Sequence, residues 1–344
     1  LPKFNFISFW IHNMKKITLI LALALSATIT FGQDKPLEIS GSADLYYKYD
    51  FSKTPNIPTS FASDQNSVSL GMIDLILKKK TGKSSFVAEV SFGPRGAGQS
   101  IPDVNGQSYH IQNLYATYEA SDKLILTAGY MSTFIGYEVI SPSGNFHYST
   151  SYLFTNGPFQ NGGVKGNYTF SKKVSLMIGL FNDQWNTYQA NSSLGLNAIG
   201  TQLSLTPSKD FTAYVNYLNG SASGKIVDIT ANYQITDKFK LGLNAADFTS
   251  NDPKKGYSGF ALYPSYSVKD NFSLGLRAES FKFNNSEDNT SYTGLTLTSN
   301  IKSGGLTFIP EIRLDNASQM KFVDTSSASV KSASQVCLAV VYVF

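Results

Sequence analysis

Residues 37–51 read LEISGSADLYYKYDF, and their alternation decides the fold. Leu37, Ile39, Gly41, Ala43, Leu45, Tyr47, Tyr49 and Phe51 place apolar or small side chains on odd positions. Glu38, Ser40, Ser42, Asp44, Lys48 and Asp50 place polar ones on even positions. Successive side chains of a strand point to opposite faces, so the stretch is a β-strand with one apolar and one wet face. Its length, about 15 residues, exceeds that of an ordinary soluble strand.

The pattern returns along the chain. Phe86, Ala88, Val90 and Phe92 oppose Ser85, Glu89 and Ser91; Val164, Gly166, Tyr168 and Phe170 oppose Lys165, Asn167 and Thr169. Val227, Ile229, Ala231 and Tyr233 oppose Asp228, Thr230 and Asn232; Phe272, Leu274, Leu276 and Ala278 oppose Ser273, Arg277 and Glu279. Leu306, Phe308, Ile312 and Leu314 oppose Thr307, Glu311, Arg313 and Asp315, and Val336, Leu338, Val340, Tyr342 and Phe344 share one face of the last strand. Residues 66–78 are apolar on both faces, so their register is open.

Seven short polar turns, such as Ser121-Asp122-Lys123 and Thr236-Asp237-Lys238, separate these strands. Eight longer or irregular loops alternate with them, near 52–65, 93–108, 131–162, 186–195, 219–224, 249–256, 284–290 and 316–333. Together they connect sixteen strands, and an even count returns both chain ends to one side. An apolar outer face needs lipid, and lipid tolerates no unpaired strand edge, so the sheet must close. The expected fold is all-β: a single transmembrane antiparallel up-and-down barrel of about 16 strands, with short periplasmic turns and longer extracellular loops. Phe170, Phe211, Phe239 and Phe272 beside the turns, and Phe51, Trp185, Tyr217, Phe248, Tyr257 and Phe283 beside the loops, read as two interfacial girdles. Pro264 and Pro310 fall inside strands, where bulges are expected. Gly179, Gly200, Gly242, Gly275 and Gly294 would relieve crowding where the wall bends.

Composition agrees. Of 344 residues only 15% are charged and 13% are aromatic, which excludes a disordered chain. The lone Cys337 excludes a disulfide scaffold. Met14-Lys15-Lys16, the apolar run from Ile17 and the small residues before Gln33 read as a secretory signal peptide over 14–32, preceded by an over-extended frame at 1–13. The barrel domain is then 33–344, exported through a cleaved signal to a Gram-negative outer membrane. Without Lys3, Lys15 and Lys16 it has 25 basic and 24 acidic residues, a net of +1 that gives nucleic-acid binding no electrostatic support.

Gly129-Tyr130, Gly136-Tyr137-Glu138, Ser149 to Phe154, Gly157-Pro158-Phe159 and Gly162-Gly163-Val164 stand in one ordered block. Arg277-Ala278-Glu279 with Phe281, and Pro310-Glu311-Ile312-Arg313 with Asp315, follow later. In this order the segments resemble the second family of outer-membrane β-barrel porins, over nearly the whole chain after the signal. That resemblance implies an outer-membrane barrel that forms a pore; it implies no particular solute.

A barrel of this size can hold water, and the polar strand faces would line it. Candidate lining charges are Asp44, Lys48, Glu89, Glu119, Lys165, Asp228, Lys240, Arg277, Glu279, Glu311, Arg313 and Asp315. The two-residue spacing of Arg277/Glu279 and Glu311/Arg313/Asp315 favours charge pairs that fix strand register over contacts with a solute. The 131–162 segment is too long for a hairpin loop, and its aromatic content suits packing on another surface. Either it folds inward with Glu138 at a constriction, or it caps the rim. The only histidines after the signal, His110 and His147, lie in no catalytic motif, so neither an enzyme, a cofactor nor a metal site is expected. The expected function is a water-filled pore for passive diffusion of small hydrophilic solutes; the rival is a plugged structural or surface-docking barrel without channel activity. Expected partners are outer-membrane lipid, the barrel-assembly machinery, the solutes and, compatibly, further copies of the chain as a homo-oligomer.

Overall fold

The structure, a computed structural model, describes residues 36–57, 59–95, 110–185, 193–252, 256–286 and 288–344. The signal segment and parts of the 93–108, 186–195, 249–256 and 284–290 loops lie outside the described residues.

Sixteen strands close into one antiparallel barrel. The first eight are β1 (Glu38–Asp50), β2 (Val68–Thr81), β3 (Ser84–Phe92), β4 (Ile111–Glu119), β5 (Leu124–Ser132), β6 (Gln160–Ser171), β7 (Val174–Phe181) and β8 (Ala198–Ser208). Then come β9 (Phe211–Gly220), β10 (Gly224–Gln234), β11 (Phe239–Thr249), β12 (Tyr257–Lys269), β13 (Phe272–Phe283), β14 (Ser291–Ser303) and β15 (Leu306–Ala317). Two short strands, β16 (Phe322–Val323) and β17 (Ser329–Val330), form a separate hairpin in the last loop, and β18 (Ser332–Val343) completes the wall. Each barrel strand pairs with its neighbour in sequence, and β1 pairs with β18 from Ser42 opposite Val343 to Asp50 opposite Gln335. Reciprocal bonds between Gly41 and Phe344 close the seam, so no edge is left for lipid to meet. No helix among the described residues is long and apolar enough to cross a membrane; strands do the crossing.

The alternation predicts the faces. On β1, Leu45 and Tyr47 are exposed outward while Tyr46 and Lys48 are buried inward. The open register at 66–78 has a local cause. Ala43 faces Ile73 but Leu45 faces Leu70, so β2 carries one extra residue around Gly71-Met72. This bulge flips the parity: Ile73 and Leu75 point outward on odd positions, Val68 and Leu70 on even ones. The Asp44 carboxylate accepts the Met72 N–H at 2.8 Å, which satisfies the donor that the bulge removes from the ladder.

Three expectations are corrected. No bulge forms at either proline. Some pairs beside Pro264 and Pro310 drop out of one ladder, but the register on both sides of each gap is the same. Both rings share the outward face with Leu262, Phe308 and Ile312, where an apolar side chain suits lipid. The 219–224 loop is as tight as a turn, because Gly220 pairs with Gly224 and leaves only residues 221–223 between the strands. Asp183 holds it: its carboxylate accepts the N–H of Ala222 at 2.7 Å and of Ser223 at 2.9 Å, and the Ser221 hydroxyl at 2.9 Å. Burial pushes this carboxyl up, but the donors outweigh burial and hold it below the usual aspartate range. Finally, the loop-end girdle is partly internal. Tyr257 and Phe281 are buried inside the barrel, with Trp185, Phe248 and Phe283 packed against them. At the turn end Phe170, Tyr233, Tyr266 and Phe344 do face outward.

Candidate permeation site: the lumen and its inward segment

Residues 133–159, between β5 and β6, fold into the barrel. The segment contains a 3-10 turn at Pro142–Gly144 and one short helix, α1 (Tyr152–Asn156). Ser151 begins α1 by accepting the Phe154 N–H at 3.1 Å. Such irregular backbone at membrane depth needs partners for every buried polar group, and the inner wall supplies them. Glu311 accepts the N–H of Tyr148 at 3.0 Å and of Ser149 at 3.2 Å; Glu279 accepts that of Tyr152 at 2.7 Å; Asp228 accepts that of Gly136 at 3.1 Å. The carbonyls of Ser149 and Thr150 accept from Arg277, and that of Thr150 also accepts from Arg313 at 2.7 Å. Asn300 donates to the Phe146 carbonyl and Gln202 to that of Phe134.

Side chains repeat the arrangement. Arg277 pairs with Glu138 of the segment at 3.0 Å and with Glu279 of its own strand at 3.1 Å. Arg313 pairs with Asp315 at 2.9 Å and reaches Glu279 at 3.4 Å, bridging β13 and β15 across β14. Both guanidinium groups are fully buried. The Tyr148 hydroxyl donates to Asp44, that of Tyr152 to Asp315, and that of Tyr137 to Asn232 Oδ1 at 2.7 Å. Removing one member of a buried ion pair leaves the other charge uncompensated, typically at a cost of about 3–5 kcal/mol, so this lattice resists piecemeal opening.

Three strand glycines explain how aromatic rings fit against the wall. Phe134 lies over Gly200, Tyr137 over Gly242 and Phe146 over Gly275; a Cβ at each position would collide with the ring. These glycines therefore seat the inward segment, a role different from the wall-bending one that the sequence suggests.

The opposite wall is open. Against β2–β6 lies a cavity of about 380 Å³ lined by Lys78, Glu89, Asn113, Tyr115, Thr127 and Lys165, with Ile76, Val87 and Met131 beside them. Nearer the short turns, beneath Pro142–Phe146, a second space of about 660 Å³ is bordered by Gln234, Lys238, Lys240, Asn300, Lys302 and Thr307. The loop end differs from both. There Leu153 and Ile135 of the segment pack inside the barrel with Phe181, Leu218, Tyr257 and Phe281, and Ile57 and Phe322 from other loops join them. Arg95 adds a further clamp: it donates to the carbonyls of Ile140 and Tyr148 and stacks on Phe61 and Tyr148.

The family described as "Putative beta-barrel porin-2, OmpL-like" matches residues 36–344. The chain belongs to this porin family. Solved structures share its architecture at low identity. OmpT, an outer membrane protein of Vibrio cholerae, solved in its trimer form, is 12% identical with a TM-score of 0.56, covering 90% of this chain and 99% of its own. A mutant of the Rh. blastica porin is 12% identical with a TM-score of 0.53, covering 90% of this chain and 100% of its own. No curated protein matches this sequence. The protein is thus an outer-membrane β-barrel of the porin class.

Within the porin, the sequence candidates divide into two groups. Asp44, Asp228, Arg277, Glu279, Glu311, Arg313 and Asp315 face inward but are buried under the segment with named partners, and none of them lines either of these two cavities. Lys48 is likewise buried and donates to the Ser63 carbonyl at 3.1 Å. Glu138 lies on the inward segment, as one of the two readings requires, but it is no free charge: Arg277 pairs with it and the Ser151 N–H and hydroxyl donate to it. Glu89, Lys165 and Lys240 do border the cavities. Glu119 sits at the turn end in an exposed pair with Lys80. His147 is enclosed, with Nδ1 on the Thr298 hydroxyl at 2.8 Å, and His110 stacks on the outward Phe92. Sequence reasoning passed over Arg95, Lys78, Lys238 and Lys302. The β2 bulge hid Lys78, Lys238 and Lys302 read as turn residues, and no pattern marks Arg95.

Proposed function

We propose that this porin is a passive channel for small hydrophilic solutes and that its route runs between the inward segment and the β2–β6 wall. The observation that carries the reading is the cavity on β2–β6 beside Glu89, Asn113 and Lys165, which no residue of the segment lines. In the proposed orientation Phe344 and the short turns are periplasmic and the longer loops extracellular. The wall meets outer-membrane lipid, assembly uses the barrel-assembly machinery that reads the aromatic C-terminal strand, and several copies associate, as the trimer form of the Vibrio cholerae protein suggests.

One observation favours a second reading. The apolar cluster around Leu153, Phe181, Leu218 and Phe281 fills the lumen at the loop end, as expected of a plugged barrel that serves as a scaffold. Conductance of the purified protein in a planar bilayer separates the two. Discrete, reproducible current steps support the channel; a silent bilayer at protein levels that insert a known porin supports the scaffold.

A further inference from the structure

The inner surface segregates its charges. On the docked wall every candidate carboxylate is engaged: Asp44 by Met72 and Tyr148, Asp228 by Gly136, Asn216 and Asn244, and Glu138, Glu279, Glu311 and Asp315 by segment donors or the two buried arginines. The donors lie between these oxygens and the open space, so little of their charge is presented to a passing ion. Around the two open spaces, one on β2–β6 and one beneath the segment at the turn end of β10–β15, the balance is reversed. Lys78, Lys165, Lys238, Lys240 and Lys302 line the two cavities, and no ion pair holds any of them among the described residues. One acid faces them, Glu89, and Asn113 donates to it. Besides Lys238 and Lys302, the seven short turns carry six further lysines against four aspartates, a bias of equal sign.

A narrow water-filled passage with low-dielectric walls focuses the field of unpaired charges on its lining, and rings of lysine or arginine are how anion and phosphate pores are built. A lysine ammonium on a flexible stem serves as a point charge for carboxylate, phosphate or halide alike. Lys165, half-buried at mid-barrel beside Thr127, Tyr115 and Met131 and without an ion-pair partner among the described residues, is a cation whose best available counter-charge comes from the solution.

We infer that the porin selects small anions, inorganic or carboxylate- and phosphate-bearing, with Lys165 at the waist and Lys238, Lys240 and Lys302 forming a basic vestibule under Pro142–Phe146. This rests on the channel reading above and reverses the cation preference that a free Glu138 would confer.

Reversal potentials in a tenfold KCl gradient test it. Wild-type protein is expected to show the sign of anion preference, stronger at low salt because charges are screened at high salt. Lys165→Gln should lower the chloride-to-potassium permeability ratio several-fold, and K238Q/K240Q/K302Q should lower it further and weaken current block by added inorganic phosphate. Glu89→Gln should raise the ratio. A reversal potential of zero or of cation sign in a conducting wild-type channel overturns the inference while leaving the channel intact. A bilayer that carries no current at all overturns the channel reading and this inference with it.

Discussion

The two sides of one lumen are made from the same kinds of residue and come out opposite. The β10–β15 wall carries Asp228, Arg277, Glu279, Glu311, Arg313 and Asp315, and each is buried against backbone or side chains of the inward segment. The β2–β6 wall carries Lys78, Glu89 and Lys165, which border open space. Charge on a strand's polar face is thus no sign of a pore. What separates lining from docking is whether something inside the barrel supplies partners, and here residues 133–159 supply them to the charges of β10–β15 but not to Lys78, Glu89 or Lys165.

The contrast breaks most visibly if the docked side is released. Arg277→Ala leaves Glu138 and Glu279 without their cation in a dry site, at a cost of about 3–5 kcal/mol. Limited proteolysis should then cut within 139–145, and conductance should rise. An uncut segment with wild-type current would show that the ion pair is dispensable. A smaller loss is expected from the outer face of the open wall. Val164→Arg puts a charge into lipid and should destabilise by about 2–4 kcal/mol if it sits near the midplane, whereas Lys165→Gln, one residue on, should leave urea unfolding in lipid or detergent unchanged. Equal losses would mean the two faces are misassigned.

Gly275→Val sharpens the account on the docked side. Its side chain meets the Phe146 ring, and overpacking of this kind costs about 1–3 kcal/mol. The expected signature is a wider conductance distribution with the barrel still folded, since the wall's ladder is untouched. The smallest effect belongs to Asp183. Its carboxyl is held below the usual aspartate range, so its stabilisation is complete above that range and is lost as pH falls through the depressed value. Asp183→Asn should weaken the 221–223 turn by about 1 kcal/mol and flatten the acid limb of the unfolding curve. An unchanged acid limb would remove Asp183 from that role.

Much of the barrel was legible in the sequence because a period of two is unambiguous where one face meets lipid. Strand count, closure and the faces of Ile229 and Leu274 follow from it. It failed where one residue shifts the parity, as at Gly71-Met72, and where lipid-facing and lumen-facing aromatics look alike, as with Phe248 and Phe283. The inward course of 131–162 was legible only as one of two options, from its length and its Phe and Tyr content. Its partners were not, since nothing local ties Glu138 to Arg277, which lies 139 residues further on. The strand glycines were the missed signal: Gly200, Gly242 and Gly275 mark where rings press on the wall.

The central claim is that solutes pass along β2–β6 and not through the docked half. Blocking single introduced thiols during bilayer recording tests it most directly, in a Cys337→Ser background that removes the native thiol. Thr127→Cys lies on the open cavity; Thr296→Cys lies beneath the segment, beside Arg277. A charged methanethiosulfonate reagent should cut the current through the Thr127→Cys channel within seconds and leave that of Thr296→Cys unaltered. Rapid block at Thr296→Cys, with none at Thr127→Cys, would place the route on the wrong wall and contradict the account.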